Sequence, residues 1–258
     1  MSTPEQYLDT CFVRDEQGRI VSTRESAPPP GPLFCLVRGA GHCAWSVNAQ
    51  LPSSVAHTID QLARSESPTT DFRCPPAHAD EYRKLLGAYE SSWQGTGIDL
   101  LEQNGPAMTF PDDLPPAPDV VHIADEQSLA AHFSGWEAGE IADGRAPVLA
   151  IVEDGHPVSV CFCARASATC AEAGVETAER YRGRGLASRV TAAWARALRA
   201  EGRLPLYSTE WTNHASLAVA RKLGLSVYAS VWCLIKPAQP RAPLEPVEQD
   251  ERTDGEPA

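Results

Sequence analysis

Arg180-Tyr181-Arg182-Gly183-Arg184-Gly185-Leu186-Ala187 joins a strand-like segment to an amphipathic helix, and its reading decides the fold. Glycines at 183 and 185 let the backbone turn sharply and bring successive N–H groups close to an anion. The start of the following helix, at Leu186 and Ala187, adds its positive dipole end. Arg180, Arg182 and Arg184 add charge. The run lacks the third glycine of a dinucleotide fingerprint and the Gly-Lys-Ser/Thr of a P-loop. It therefore predicts a site for a pyrophosphate other than that of a nicotinamide cofactor or ATP. Two glycines alone are more often the mark of a helix-capping turn with solvated arginines, so the flanking elements must decide.

Upstream, Thr169 to Thr177 alternates Ala171, Ala173, Val175 and Thr177 with Glu172, Gly174 and Glu176, the period of a strand. Val148–Val152 and Val158–Phe162 flank Asp154-Gly155, a dipeptide that supplies the positive φ of a tight hairpin. Val120 to Ile123 reads as a strand and Asp125 to Trp136 as a helix. Downstream, Leu186, Val190, Ala193, Trp194, Ala197 and Leu198 fall on one helical stripe stopped by Gly202. Leu204 to Thr209 is a strand, Asn213 to Leu223 a helix ended by Gly224, and Val227 to Ile235 a last strand. The order is β-α-β-β-β-α-β-α-β, with the glycine loop opening the second helix.

Two runs at this spacing, Arg180 to Gly185 and Trp211-Thr-Asn-His-Ala-Ser216 leading to Lys222-Leu-Gly224, make residues 119 to 236 resemble the GNAT superfamily of acyl-CoA-dependent N-acyltransferases. The resemblance covers nearly half the chain. More narrowly, Ser159-Val-Cys161, Glu172 to Thr177 and the Trp-Thr-Asn run look like a bacterial subgroup with an additional N-terminal domain. It implies an α/β (α+β) GNAT fold, a mixed and mostly antiparallel sheet flanked by helices, with acetyl-CoA as co-substrate. The loop amides would hold the CoA pyrophosphate. Val175 and Thr177 would offer main-chain groups to the pantetheine, and Asn213 and Ser216 would lie along the same arm. An Asn before a helix is also a favoured N-cap, and both roles are compatible.

An alkyl ammonium with a pKa near 10 must lose a proton before it attacks a thioester. The resemblance points to a glutamate in the strand before the loop. Glu172 and Glu176, on one face, are the candidates, with a solvated or structural charge as the alternative for each. Relatives place a tyrosine on the last helix to protonate the departing thiolate, and the matching position here is Ala220. Tyr228, Tyr207, Ser216 and His214 remain as substitutes. A thiol with a pKa near 8.5 leaves readily without such an acid. The vacancy also suits a non-catalytic CoA-binding sensor. Acyl groups longer than acetyl, such as succinyl, stay open.

Four prolines in Phe110 to Asp119 rule out a helix or central strand there. The expected organisation is a smaller α+β N-terminal domain over 1–110, a linker over 111–118, the GNAT unit over 119–236, and a disordered tail over 237–258. In the first unit, Ser53–Ser65 and Pro76–Glu90 read as helices and 11–21 and 33–38 as strands. No catalytic motif stands there. Trp45, Trp93 and the Gly95-Thr-Gly97 turn are placed to roof an acceptor pocket.

The formal charge is −12. That argues against a nucleic acid, including tRNA-bound amines, and against an anionic membrane surface. It favours an amine on a small molecule or a protein. Cys161 and Cys163 face one side of a strand and read as reduced thiols. Cys74 and His78 lack the second pair a zinc site needs, so no metal is expected. With no apolar leader and no run of 18 apolar residues, the expected location is the cytoplasm. The sequence encodes neither the acceptor nor whether the protein is a monomer or a homodimer.

Overall fold

The computed structural model describes residues 2–25, 28–94 and 100–237, with only the backbone over 90–94. The chain begins with α1 (Pro4–Cys11), β1 (Phe12–Arg14), β2 (Ile20–Thr23), β3 (Phe34–Gly39), β4 (Cys43–Val47), α2 (Ser53–Arg64), α3 (Ala79–Gln94) and β5 (Leu101–Thr109). Then come β6 (Val120–Ile123), β7 (Val148–Glu153), β8 (His156–Ala166), β9 (Cys170–Thr177), α4 (Leu186–Ala200), β10 (Leu204–Ser208), α5 (His214–Lys222) and β11 (Ser226–Ile235). The expected strands and helices after residue 119 are therefore present, with one exception. Trp93's side chain, residues 95–99 and the tail from 238 lie outside the described residues.

Nine strands form one sheet in the order β4-β3-β11-β5-β10-β9-β8-β7-β6, and β1 pairs only with β2. Every neighbouring pair in the sheet is antiparallel except β9 with β10. Two parallel neighbours need a crossover, and α4 supplies it from the apolar stripe read in the sequence. Asp154 and Gly155 take positive φ, 51° and 79°, and close the β7–β8 hairpin.

Helices α2 to α5 cover one face. Trp194 and Leu198 of α4 pack there with Met108, Cys161, Cys163 and Tyr207, while Tyr82 and Leu86 of α3 pack with Phe34 and Trp232. The other face carries α1, which touches β3, β4, β8 and β9, and the β1–β2 hairpin. The sheet thus wraps partly around α1.

The proline-rich run leads from the interior strand β5 to the edge strand β6. Strands on both sides of it belong to the same sheet. It is also fixed in place: Phe110 and Leu114 join the core under α4, and Arg199 donates to the carbonyls of Phe110 and Asp112 at 3.0 Å each.

The helix expected over Asp125–Trp136 is absent. Asp125 caps only a short 3₁₀ turn, Glu126–Leu129, accepting from Gln127 N–H at 3.0 Å. Gly135 falls in the last turn of the expected helix, at a cost of about 1 kcal/mol, and Gly139 at φ 96° lies just beyond it. Leu129 and Phe133 are buried all the same, against Val148, Val160 and Phe162. The strand expected over 11–21 is instead the end of α1 and a short hairpin.

Among the described glycines, Gly105 leaves the least room for a side chain. A Cβ there would stand 1.7 Å from the carbonyl oxygen of Thr209, on the chain leaving β10. We predict that Gly105→Ala lowers unfolding free energy in urea by about 3 kcal/mol, the upper end of overpacking costs. A loss below about 1 kcal/mol would show that the 209–210 segment yields freely.

Candidate functional site

Strands β9 and β10 pair only at Leu204↔Cys170, Pro205↔Ala171 and Leu206↔Glu172. Beyond that point β10 turns to β5, through Tyr207↔Met108 and Ser208↔Ala107, while β9 stays with β8 as far as Thr177. Between 173–177 and 207–208 the sheet is split. Thr169 C=O faces β10, accepting from Leu204 N–H at 2.8 Å, and Ala178 N–H faces β8, donating to Val158 at 3.0 Å. Strand alternation then turns the N–H and C=O of Val175 and Thr177 towards the split. These are the main-chain groups that the sequence singled out.

At the end of β9 a 3₁₀ turn, Glu179–Tyr181, leads into the loop. Gly183 and Gly185 have φ 76° and 77°, a region in which only glycine is unstrained, and Gly185 caps α4. The N–H groups of Leu186, Ala187 and Ser188 open α4 without acceptors four residues back, at the positive end of the helix dipole. Arg184 is committed to Glu153 by two hydrogen bonds of 3.0 and 2.7 Å. Arg182 Nε holds Thr177 C=O at 3.2 Å, and Arg180 lies over the Tyr181 ring at 4.7 Å. Lys222 was not placed at this loop by the sequence. Its Nζ stands 2.5 Å from where a Cβ on Gly185 would be, which adds a cation from the C-terminal end of α5. A basic residue in the last turn of the second motif was the available signal.

Asn213 is the N-cap of α5, its Oδ1 accepting from Ser216 N–H at 3.1 Å. Ser216 C=O accepts from the Tyr207 hydroxyl at 3.4 Å, and burial pushes the Tyr207 pKa up to about 12. Ala220 is 3% exposed within the core, so no side chain reaches the split from that position. The Tyr228 hydroxyl is buried with no hydrogen-bond partner among the described residues.

The two glutamates share a face of β9 but not an environment. Glu172 is 2% exposed. Arg165 Nε lies 2.7 Å from its Oε2, the Ser208 hydroxyl donates to Oε1, and Cys11 Sγ is 3.8 Å from Oε2. The Tyr7 hydroxyl lies 3.5 Å from Ser208 Oγ. Glu172 holds Arg165 far above its ordinary pKa, and burial raises those of Tyr7 and Cys11.

Glu176 stands exposed near the mouth of the split. The protein around it still displaces enough water to raise its pKa, an effect that Arg145 opposes. Arg145 is fixed by Glu140 at 2.9 Å and stacks over the rings of Trp136 and Phe162 at 4.6 and 5.0 Å. Between the glutamates, Gly174 leaves room for Phe162: a Cβ would meet that ring at 2.6 Å.

A cleft of about 1330 Å³ opens on the α1 face and reaches Ser208, Arg165 and Asn213. No group of three potential metal ligands occurs among the described residues. No described helix is long and apolar enough to cross a membrane.

The family model described as GNAT acetyltransferase matches residues 123–229. A GNAT-family acetyltransferase structure from Novosphingobium aromaticivorans is 20% identical, covering 54% of this chain and 68% of that one at a TM-score of 0.45. A GCN5-related N-acetyltransferase-like protein from Streptococcus suis is 19% identical, covering 79% and 84% at 0.44. A GCN5-related N-acetyltransferase from Kribbella flavida is 18% identical, covering 72% and 95% at 0.44. No curated protein matches the chain.

Proposed function

We propose, from the match of residues 123–229 to the family model described as GNAT acetyltransferase, that the protein moves an acetyl group from acetyl-CoA to a primary amine. The observation that carries this reading is the split between β9 and β10 ending at a positively charged glycine loop. The residues present fit the co-substrate. Leu186 to Ser188 amides and Lys222 suit a pyrophosphate, and the outward main chain of Val175 with the Thr177 N–H suits an amide-bearing arm, Thr177 C=O being held by Arg182. Acetyl-CoA supplies an acyl group activated as a thioester.

The chain supplies the rest. Val175 N–H faces the split and is placed to stabilise negative charge on a carbonyl oxygen there. Glu176, exposed and with its pKa raised, takes the amine proton directly or through water. Glu172, already held by Arg165 and Ser208, keeps the base of the split in shape. The first 110 residues supply the acceptor side, through the cleft. The vacancy at Ala220 favours one other reading, a CoA-binding sensor without turnover.

Titration calorimetry tests the cofactor site. A Cβ at Gly183 meets nothing within 4 Å, but φ 76° strains any side chain there, so Gly183→Glu is read against Gly183→Ala, which carries the same strain without the carboxylate. We expect acetyl-CoA to bind the native chain and Gly183→Glu to bind at least tenfold more weakly than Gly183→Ala, a change of about 1.4 kcal/mol. Native protein that does not bind acetyl-CoA would end the proposal. Binding without thiol release towards any amine would favour the sensor.

A further inference from the structure

The floor of the cleft is bare sheet. On the α1 face Ile235 pairs with Leu101, Cys233 with Gln103 and Val231 with Gly105, and all six line the cavity. Thr209 C=O lies over Gly105, so the open part of the floor is Leu101, Gln103 and Ile235 with the edges of Val231 and Cys233. One wall is the Pro29–Pro32 run with Leu33, pinned by Asn48, whose Nδ2 donates to the carbonyls of Pro30 and Pro32 at 3.1 Å each. The opposite wall ends at Ser208, where β9 and β10 part.

Charge is placed unevenly around this apolar floor. Arg165 faces the cleft already paired with Glu172. Glu25 and Glu210 stand exposed at the rim, Glu210 two residues beyond Ser208, while Lys236 lines the cleft at the Ile235 end. An ammonium is drawn to Glu210, beside the split, and the uncharged remainder of the same molecule is left over Val231, Cys233, Ile235 and Leu101. A short, fully polar amine would leave that floor wet.

We propose that the acceptor is a primary amine carried on an elongated apolar body, that the body lies along the β5–β11 floor, and that the amino group points to Ser208. This rests on the acetyltransferase reading above and adds the substrate class.

The test is thiol release from acetyl-CoA with straight-chain amines from butylamine to octylamine, alongside the polar triamine spermidine. Burying each methylene on the floor raises kcat/KM about three- to fourfold. Spermidine should be a poorer acceptor than octylamine. Gln103 is exposed on the floor, so Gln103→Trp fills the cleft without disturbing the core. It should flatten the chain-length dependence and raise KM for octylamine at least tenfold, with the acetyl-CoA Kd within twofold of native. A flat series, a preference for spermidine, or an unaffected Gln103→Trp, each with acetyl-CoA binding intact, overturns this proposal alone. Absence of acetyl-CoA binding overturns the acetyltransferase reading and this proposal with it.

Discussion

Glu172→Ala is expected to destabilise the fold by about 3 to 5 kcal/mol, the cost of leaving one partner of a buried ion pair uncompensated. Glu172 is almost wholly enclosed, while the Arg165 side chain keeps 26% exposure through the cleft, which places the loss nearer the lower figure. Ser208 and Cys11 lose their acceptor in the same change. For a chain of this length the midpoint of thermal unfolding should fall by roughly 6 to 12 °C. Glu172→Leu combined with Arg165→Met should recover most of the loss, because an apolar pair of similar volume removes both desolvated charges. Glu172→Gln separates structure from chemistry. A positioning carboxylate predicts that kcat of the folded fraction changes little, whereas a base predicts a loss of at least about a hundredfold. Thermal shift and thiol release on the same three variants decide it, and a destabilisation below 1 kcal/mol would refute the structural role.

Much of the C-terminal architecture was legible because its signals are local. Asp154-Gly155, the stripe from Leu186 to Leu198 and the glycine pair at 183 and 185 each specify a conformation within a few residues. Val175 and Thr177 were singled out by the family resemblance, and strand parity shows which way their main-chain groups face. What was not legible depends on partners far apart in sequence. Nothing in Leu101–Thr109 announces an interior strand: its first four residues are exposed, and it contains both Gly105 and Pro106. Pro106 is tolerated just beyond the last pairing with β10, at Ser208↔Ala107.

Helix α1 did carry a local signal. Thr3-Pro4-Glu5-Gln6 forms a capping box, with Gln6 N–H to Thr3 Oγ1 at 3.3 Å and Thr3 N–H to Gln6 Oε1 at 2.9 Å. The fate of Glu172 was beyond sequence reasoning. Glu172 and Glu176 sit on one face at the same strand period, and only the long-range approach of Arg165, Ser208 and α1 to the first of them separates their roles.

That separation makes Glu176→Gln the decisive kinetic variant. With Glu172 enclosed, Glu176 is the β9 carboxylate open to solvent, and removing it should lower kcat about 10² to 10⁴-fold if it takes the amine proton. Acetyl-CoA affinity should stay within twofold, because the loop and the strand edge are untouched. The pH dependence carries a sign. Displaced water favours the neutral form of Glu176, so its pKa lies above the ordinary glutamate value. Base activity is present above that raised pKa and is lost as pH falls through it. Arg145 favours the charged form, so Arg145→Met should move the acid limb of kcat to still higher pH, and Glu176→Gln should abolish that limb. Thiol release followed from pH 5 to 9 measures both. A Glu176→Gln variant with kcat within threefold of native and the limb intact would remove Glu176 from the chemistry. The proton would then have to leave through Ser208 and the buried carboxylate behind it.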